Sequence, residues 1–317
     1  MNVNYYRLIT PISEPSLANA LSAPVLLADA DGALRYAYAG DLQGNLWRFD
    51  FNGNAPWANA VGPGAGGRPL FVARDADGNR QPITQQPLLA YAGVLGYMVM
   101  FGTGRLIETA DRSSASFSPQ SYYAIIDSLQ TPPDLVAGRR QLAERVVDGA
   151  TGNLLLKISG DKIDMADKGW YLDFLQASTT GERSINRGLL AGGEVLFNTL
   201  LPGADACHAS RSRSYVLNVL TGLPDDSSSV TAMPPEAPIT ALLLPDYAAV
   251  PALLPTSSVR ERNGPAGRIG VERNFAVVNV TGQARLVVAG NLRVTRRAGR
   301  LSWREVANWR ELHEAAR

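Results

Sequence analysis

Alternating hydrophobic and polar positions predict β-strands along much of the chain. The clearest case is residues 36–50, where Tyr36 to Ala39 and Leu46 to Phe49 fit two strands. The segment between these strands contains the Gly and Asn residues that a hairpin turn requires. Trp47 is placed where it can pack against a neighbouring sheet. The stretch therefore predicts one hairpin of the size found in a propeller blade.

Strands rich in aromatic or β-branched residues, and ending in Asp, Asn or Gly, recur further along the chain. They occupy residues 96–104 with 121–127, 169–173 with 193–199, and 213–222. A recurrence at intervals of roughly 40 to 50 residues is typical of radially repeated sheets. We therefore predict an all-β fold, a modified β-propeller with a few short helices in its insertions.

The same pattern divides the chain into parts. We predict an irregular lead-in over residues 1–22, propeller blades over 23–223, a Pro-rich connection over 224–258, strands that close the propeller over 259–305, and a short helix or tail over 306–317. Within the blades, Pro132 to Val147 is the best candidate for a helix, because its apolar residues fall near one face, namely Leu135, Leu142, Val146 and Val147.

Composition narrows the class of protein without changing the fold. The chain has 317 residues, with Gly 30 and Pro 20, which favours many turns over long helices. A net charge of +1 gives no global field that would attract nucleic acid. The longest apolar run, residues 88–101, is too short to span a bilayer. The first residues lack a secretion signal, so we expect a cytosolic protein or a piece of a longer parent whose signal lies upstream.

Candidate metal ligands are sparse. Asp29, Asp31 and Gly32 have the spacing of a calcium loop, but two carboxylates are too few for a cation that takes six to eight oxygens. An Asp-Gly turn between strands explains the same residues. Cys207 and His208 are adjacent, yet the sequence lacks the further Cys and His that a structural zinc site needs. We expect no cofactor.

Several motifs, taken in order, resemble the C-terminal half of the PilC/PilY-type proteins of bacterial type IV pili. The resemblance covers about residues 20 to 305, and its first motif is long and specific. The motifs are Tyr38-Ala-Gly-Asp-Leu-Gln-Gly-Asn-Leu-Trp-Arg-Phe-Asp50, Gln81-Pro-Ile-Thr84, Met100-Phe-Gly-Thr-Gly104, Gly169-Trp-Tyr-Leu-Asp173, Gly181-Glu-Arg183, Leu201-Pro-Gly-Ala-Asp-Ala-Cys207 and Gly299-Arg-Leu-Ser-Trp-Arg-Glu305.

This resemblance implies the C-terminal blades of a larger propeller in a non-enzymatic protein of the pilus tip, outer membrane or periplasm of a Gram-negative bacterium. Such a protein supports pilus assembly by opposing retraction, and it serves adhesion and twitching motility. The implied partners are pilins or minor pilins at the tip, together with host-cell surface receptors. An incomplete ring would expose strand edges, which loops, the Pro-rich segment or a partner would cover.

The resemblance also implies a calcium loop just before the first motif, and here the sequence departs from the family. Aligned on Tyr38, the second and third acidic positions fall on Asp29 and Asp31, but the first falls on Leu27 and the last on Arg35. A guanidinium near the site repels a divalent cation. We therefore predict feeble or absent calcium binding, with Arg35 paired to Asp29 or Asp31.

Two other classes of function remain open from the sequence. The Asp41-x-x-Gly-x-Leu-Trp47 pattern is also similar to the tryptophan repeats of quinoprotein dehydrogenase propellers, which hold a quinone and a metal. The chain has two histidines and neither a nucleophile elbow nor an HExxH motif, so it offers little acid-base machinery. The third possibility is a periplasmic or outer-membrane assembly scaffold unrelated to pili.

Overall fold

The computed structural model describes residues 6–55, 57, 67–114, 118–130, 134–150, 154–175, 177–204, 208–224, 228–229, 241–257, 260–263, 269–282 and 284–298. Over these residues the chain is built of β-strands, joined by turns and four very short helices. One of the four is an α-helix at Ala177–Thr180, and the others are 3-10 turns at Gly93–Leu95, Thr109–Arg112 and Arg139–Gln141. The prediction of an all-β fold with short helices in its insertions is confirmed.

The first sheet is a four-stranded antiparallel unit. Its strands lie side by side in chain order: β1 at Val25–Ala28, β2 at Leu34–Gly40, β3 at Asn45–Asp50 and β4 at Phe71–Val72. The hairpin predicted for residues 36–50 is β2 and β3, in which Tyr36 lies opposite Asp50 and Gly40 opposite Leu46.

Two further units belong to one ten-stranded sheet. Its strands are β5 at Leu88–Tyr91, β6 at Tyr97–Gly102, β7 at Ser121–Asp127, β8 at Ala143–Ala150, β9 at Leu155–Ser159, β10 at Gly169–Asp173, β11 at Leu189–Ala191, β12 at Glu194–Leu201, β13 at Arg211–Asn218 and β15 at Ala241–Leu244. The two-residue strand β14, at Ser228–Ser229, belongs to another sheet. Their order is β11-β12-β13-β15-β9-β8-β10-β7-β6-β5. Strands β5, β6, β7 and β10 form a second unit, strands β11, β12, β13 and β15 form a third, and the β8-β9 hairpin joins the two.

The helix predicted over Pro132 to Val147 is wrong. Residues 134–138 have no regular structure, Arg139–Gln141 form a single 3-10 turn, and Ala143–Ala150 form β8. Strand β8 pairs in parallel with β10 and antiparallel with β9. The first half of β8, Ala143 to Arg145, pairs with β10, and the second half, Val146 to Ala150, pairs with β9. These backbone hydrogen bonds outweigh the helical spacing of its apolar residues.

The last sheet contains β16 at Pro251–Pro255, β17 at Arg260–Asn263, β18 at Ile269–Val280 and β19 at Leu286–Ala298, and β14 also belongs to it. The expectation that residues 224–258 are only a connection is therefore corrected, because this stretch supplies β15 to the third unit and β16 to the last sheet. The domain boundaries as such stay a prediction. The strand expected at 301–305, the helix or tail at 306–317 and Cys207 lie outside the described residues.

Hydrophobic clusters fill the spaces between successive units. Adjacent residues of one strand point to opposite faces of the sheet. In β7, Tyr123 packs with Phe71 of the first sheet, whereas Tyr122 stacks on Phe197 of the third unit. Leu196, the neighbour of Phe197, packs on the far face with residues of the last sheet. Sheets buried on both faces explain why these strands are apolar almost throughout.

Within the described ranges, every helix is far too short to cross a bilayer.

Candidate functional site

Three acidic turns of the chain share one backbone conformation. We call residues 29–33 the Asp29 turn, residues 41–45 the Asp41 turn and residues 75–79 the Asp75 turn. In each turn the amide of the first residue donates to the carbonyl of the fifth, at 2.9, 3.0 and 2.9 Å respectively. The fourth residue is a glycine with φ of 80°, 77° and 87°, a region that favours glycine. The predicted calcium loop is thus one of three equivalent hairpin turns.

In the Asp29 turn, both oxygens of the Asp29 carboxylate are occupied. Oδ1 accepts the amides of Asp31 at 3.0 Å and Ala33 at 2.9 Å, and Oδ2 accepts Arg35 Nε at 2.7 Å. The Ala33 amide, helped by Arg35, holds the pKa of Asp29 below its usual range, against the opposing effect of desolvation. The expected pairing of Arg35 is confirmed for Asp29.

The other proposed ligand positions do not complete a metal site. Asp31 is exposed, and Leu27 at the first lost position is a half-buried residue of β1. Across the described part of the chain, no group of three or more His, Cys, Asp or Glu side chains is placed to hold a metal ion. The assignment of Asp29 and Asp31 as a degenerate calcium site stays a prediction.

The Asp41 turn is buried and organises the first sheet. The Asp41 carboxylate accepts the amides of Gln43 and Asn45 at 2.9 Å, the Asn45 side-chain amide at 2.9 Å and Trp47 Nε1 at 2.8 Å. The sequence predicted Trp47 as a packing residue but gave no partner for its indole nitrogen. The spacing of six residues between Asp41 and Trp47 in the first motif is the signal that would have found it.

Gln43, at the third position of this turn, holds the lead-in. Its Oε1 accepts the amides of Ser13 at 3.1 Å and Glu14 at 2.9 Å, while its Nε2 donates to the carbonyls of Glu14 at 2.9 Å and Leu17 at 3.0 Å. In addition, Leu8 packs against the apolar cluster around Trp47. Residues 8–17 therefore cover the first sheet, which the expectation of an irregular lead-in did not include.

A buried ion pair joins the first sheet to the second unit. Arg48 NH1 lies 2.9 Å from Asp127 Oδ1, and their side chains are 1% and 2% exposed. The Tyr38 hydroxyl donates to the same carboxylate at 2.9 Å, and burial, with Asp127 next, raises the pKa of Tyr38. These contacts satisfy a carboxylate that would otherwise be costly to bury.

A second buried carboxylate, Glu182, organises the third unit. It accepts hydrogen bonds from Thr199 Oγ1 at 2.7 Å and from the Tyr215 hydroxyl at 2.8 Å, and it pairs with Arg213. Sequence reasoning missed both buried pairs, whose only local sign is a charged residue inside or next to an apolar strand. Both carboxylates are buried, and their hydrogen bonds and ion pairs tie together segments that are distant in the sequence.

Antiparallel units that follow one another along the chain and pack face to face are the arrangement of a β-propeller. Residues 11–158 match the family described as the PilY1 beta-propeller domain. This range includes the Asp29, Asp41 and Asp75 turns and ends within β9. The family match covers just under half of the chain and supports a PilY1-type C-terminal region, as the sequence motifs indicated.

Relatives and a solved structure agree with this assignment. The chain is 36% identical over 209 residues to a type IV pilus biogenesis factor PilY1 homolog of Xylella fastidiosa, covering 62% of this chain and 14% of that protein. It is 34% identical over 241 residues to the type IV pilus biogenesis factor PilY1 of Pseudomonas aeruginosa, covering 64% of this chain and 21% of that protein.

The crystal structure of the Pseudomonas aeruginosa PilY1 C-terminal domain superposes with a TM-score of 0.62 at 25% identity, covering 84% of this chain and 62% of that one. The structural similarity therefore extends well beyond residues 11–158. The aligned part of this chain corresponds to about a fifth or less of the two curated relatives' length.

Proposed function

We propose that this chain is the propeller of a protein that acts in type IV pilus biogenesis, where it supports pilus assembly by opposing retraction. The observation that carries the proposal is the similarity to the PilY1 C-terminal domain over 84% of the chain. The two relatives, both named as pilus biogenesis factors, support the same role. The protein belongs on the pilus or in the cell envelope of a Gram-negative bacterium.

The construction of the fold suits a binding role. Two of its buried carboxylates are held by several partners within the chain, Asp127 by Arg48 and Tyr38, and Glu182 by Arg213, Tyr215 and Thr199. These contacts tie strands together and present the connecting loops on a firm frame. Pilins or minor pilins at the tip, and host-cell surface receptors, are the partners we propose for these loops, in a non-enzymatic mechanism.

The test is deletion of the parent gene in its host, complemented with the full gene or with a gene lacking residues 20 to 305. Surface pili and retraction-dependent motility are scored. We expect pili only with the full gene. Deleting the retraction motor in the same background then separates two roles. Pili return without the propeller if it opposes retraction, whereas they stay absent if it is needed to start assembly.

Other results of the same experiment favour other functions. Normal pili with lost cell attachment would make the segment an adhesin module rather than an assembly factor. Normal pili, motility and attachment would contradict the proposal and return the quinoprotein enzyme and the general envelope scaffold to consideration. Cofactor absorbance of the purified parent protein separates those two.

A further inference from the structure

A cavity of about 250 Å³ lies where the lead-in meets the ends of the first, second and third units. Its walls come from the lead-in at Leu17, from the Asp41 turn at Gln43, and from the segments that follow β4 and β6. Arg183, which forms an isolated bridge with Leu200 of β12, completes the wall. Neither the calcium prediction nor the pilus function assigns anything to this space. The residues that line it carry a net positive charge, which is unusual for a partly enclosed site.

Positive charge dominates the wall. Arg80, Arg105 and Arg183 line the cavity, and among the described residues Asp111 is the only acidic one that lines it. Asp111 is committed, since its carboxylate accepts Arg105 Nε at 3.1 Å and the amides of Ile107 and Glu108 at 3.0 Å. The lining side chains therefore carry three positive charges against one negative charge.

Two further carboxylates stand at the rim. Glu14 lies 3.7 Å from Arg80 and Glu108 lies 3.8 Å from Arg105, and their side chains are 47% and 65% exposed. Solvent screens such exposed pairs strongly, so they compensate the positive charge of the wall only in part. Burial is the largest cause that lowers the pKa of Arg80 and of Arg183, and arginine neighbours act in the same direction. An anion in the cavity would relieve both effects.

Two polar atoms of the wall lack a hydrogen-bond partner among the described residues. One is a donor, Arg80 Nε, which lies 3.7 Å from the Glu14 carboxylate, beyond hydrogen-bonding distance, while its guanidinium is anchored by NH1 to the Gln43 carbonyl at 2.8 Å. The other is an acceptor, Gln120 Oε1, on a side chain that is 5% exposed. The orientation of this amide is fixed because its Nε2 donates to the Ser118 carbonyl at 2.9 Å, and turning it over would set oxygen against oxygen.

Together the wall offers guanidinium donors and one buried acceptor. Guanidinium groups bind oxyanions through paired, charge-assisted hydrogen bonds. The acceptor, Gln120 Oε1, can be satisfied only by a ligand that has a hydrogen-bond donor, and sulfate and acetate have none. We propose that this cavity binds a small oxyanion that carries its own hydrogen-bond donor, of the kind represented by hydrogen phosphate and by 2-hydroxycarboxylates.

Two matched pairs of probes test this directly by calorimetric titration of the full chain near neutral pH. Hydrogen phosphate is compared with sulfate, and glycolate with acetate, each at constant ionic strength. We expect the probe with a hydroxyl to bind about tenfold tighter in at least one pair, which is the size expected for one buried hydrogen bond to a charged group. The tighter pair identifies the ligand as phosphate-like or carboxylate-like. Equal affinities within both pairs, or no binding of any probe at millimolar concentration, would overturn the proposal.

Three variants locate the binding. Arg105→Gln, on a side chain that is 44% exposed and so tolerant of change, is expected to weaken the preferred probe about tenfold. Gln120→Met is expected to abolish the preference within the pair, and if that variant does not fold, Arg105→Gln alone decides. Arg35→Gln, which removes one charge from the Asp29 turn outside the cavity, is the control. Equal weakening by Arg35→Gln would reduce the effect to net charge and refute the site.

Discussion

The Asp29 turn and the Asp41 turn have the same backbone hydrogen bonds but different surroundings. In both, Oδ1 of the first aspartate accepts two backbone amides of the turn. The difference lies at Oδ2, which accepts Asn45 and Trp47 in the Asp41 turn, but Arg35 in the Asp29 turn. The turn is thus set by local sequence, while its role depends on what reaches the second oxygen.

The Asp75 turn lies between these two cases. Asp75 accepts the amides of Asp77 and Asn79 and the side-chain amide of Asn79, but no tryptophan follows. Asn79 corresponds to Asn45, whereas the Asp29 turn has Ala33 at this position. The missing amide in the Asp29 turn is replaced by the guanidinium of Arg35, which is 46% exposed. From the Asp29 turn through the Asp75 turn to the Asp41 turn, the first aspartate becomes progressively more buried.

The largest expected effect is that of Asp41→Ala. This change leaves Trp47 Nε1 and the amides of Gln43 and Asn45 buried without their acceptor, and each such group costs about 1–3 kcal/mol. We expect the free energy of unfolding to fall by about 3 kcal/mol or more. Urea denaturation followed by tryptophan fluorescence measures it.

Asp75→Ala and Asp29→Ala are the matched controls for that change. The expected order of destabilisation is Asp41, then Asp75, then Asp29, because the same turn becomes more exposed in that order. A loss for Asp29→Ala as large as for Asp41→Ala would show that the turn itself, rather than its burial, carries the stability.

The next effect is that of Gln43→Ala, which removes the four hydrogen bonds that hold residues 13–17. We expect the lead-in to detach locally, at a cost of about 2 kcal/mol, with the sheet intact. Hydrogen exchange of the Ser13 and Glu14 amides measures it. Asp31→Ala and Asp77→Ala change the same position of the other two turns, and they should leave these amides protected.

The strands of the first and second units were predictable because they depend on local pattern. The segment 169–173 was placed as a strand with the bounds that the structure has, and the hairpin at 36–50 differs by two residues at its start. Alternation and turn residues are properties of a short window, so they can be found without knowing what packs where.

What the sequence did not indicate depends on distant partners. Val146 and Val147 fit a helical spacing, but residues 155–159 and 169–173 pair with their segment and make it a strand. Gln43 shows its role only when Ser13 and Glu14, about 30 residues earlier, lie beside it. By contrast, the pairing of Arg35 with Asp29 was among the predicted alternatives, because Arg35 is only six residues away.

A smaller effect is expected for the titration of Asp29. Its folded pKa is depressed, so its contribution to stability is present above the unfolded value of 3.8 and is lost as the pH falls through the folded pKa. The Ala33 amide is the largest lowering cause, and Arg35 follows. In Arg35→Gln we therefore expect the pKa of Asp29 to rise only in part, as followed by carboxyl NMR. A full return to the unfolded value would assign the depression to Arg35 rather than to the turn.

The smallest expected effect is that of calcium on the unaltered chain. Both oxygens of Asp29 already accept hydrogen bonds, and the Arg35 charge lies 2.6 Å from one of them, so adding calcium should leave the melting temperature unchanged. A tight site in a calorimetric titration, lost in Asp31→Ala, would contradict this.

The paired change Leu27→Asp with Arg35→Asp is expected to create calcium binding at the Asp29 turn. It supplies carboxylates at both lost positions and removes the cation, while the backbone of the turn, held by Gly32 and the Ala33 amide, stays as it is. Because calcium affinity follows the number and charge of its oxygen ligands, we expect this variant to melt higher with calcium than without it. The single change Arg35→Ala separates the two causes, since it removes the repulsion without adding a ligand. Calcium stabilisation of Arg35→Ala equal to that of the paired variant would mean that repulsion alone, and not the loss of ligands, distinguishes the Asp29 turn from a calcium loop.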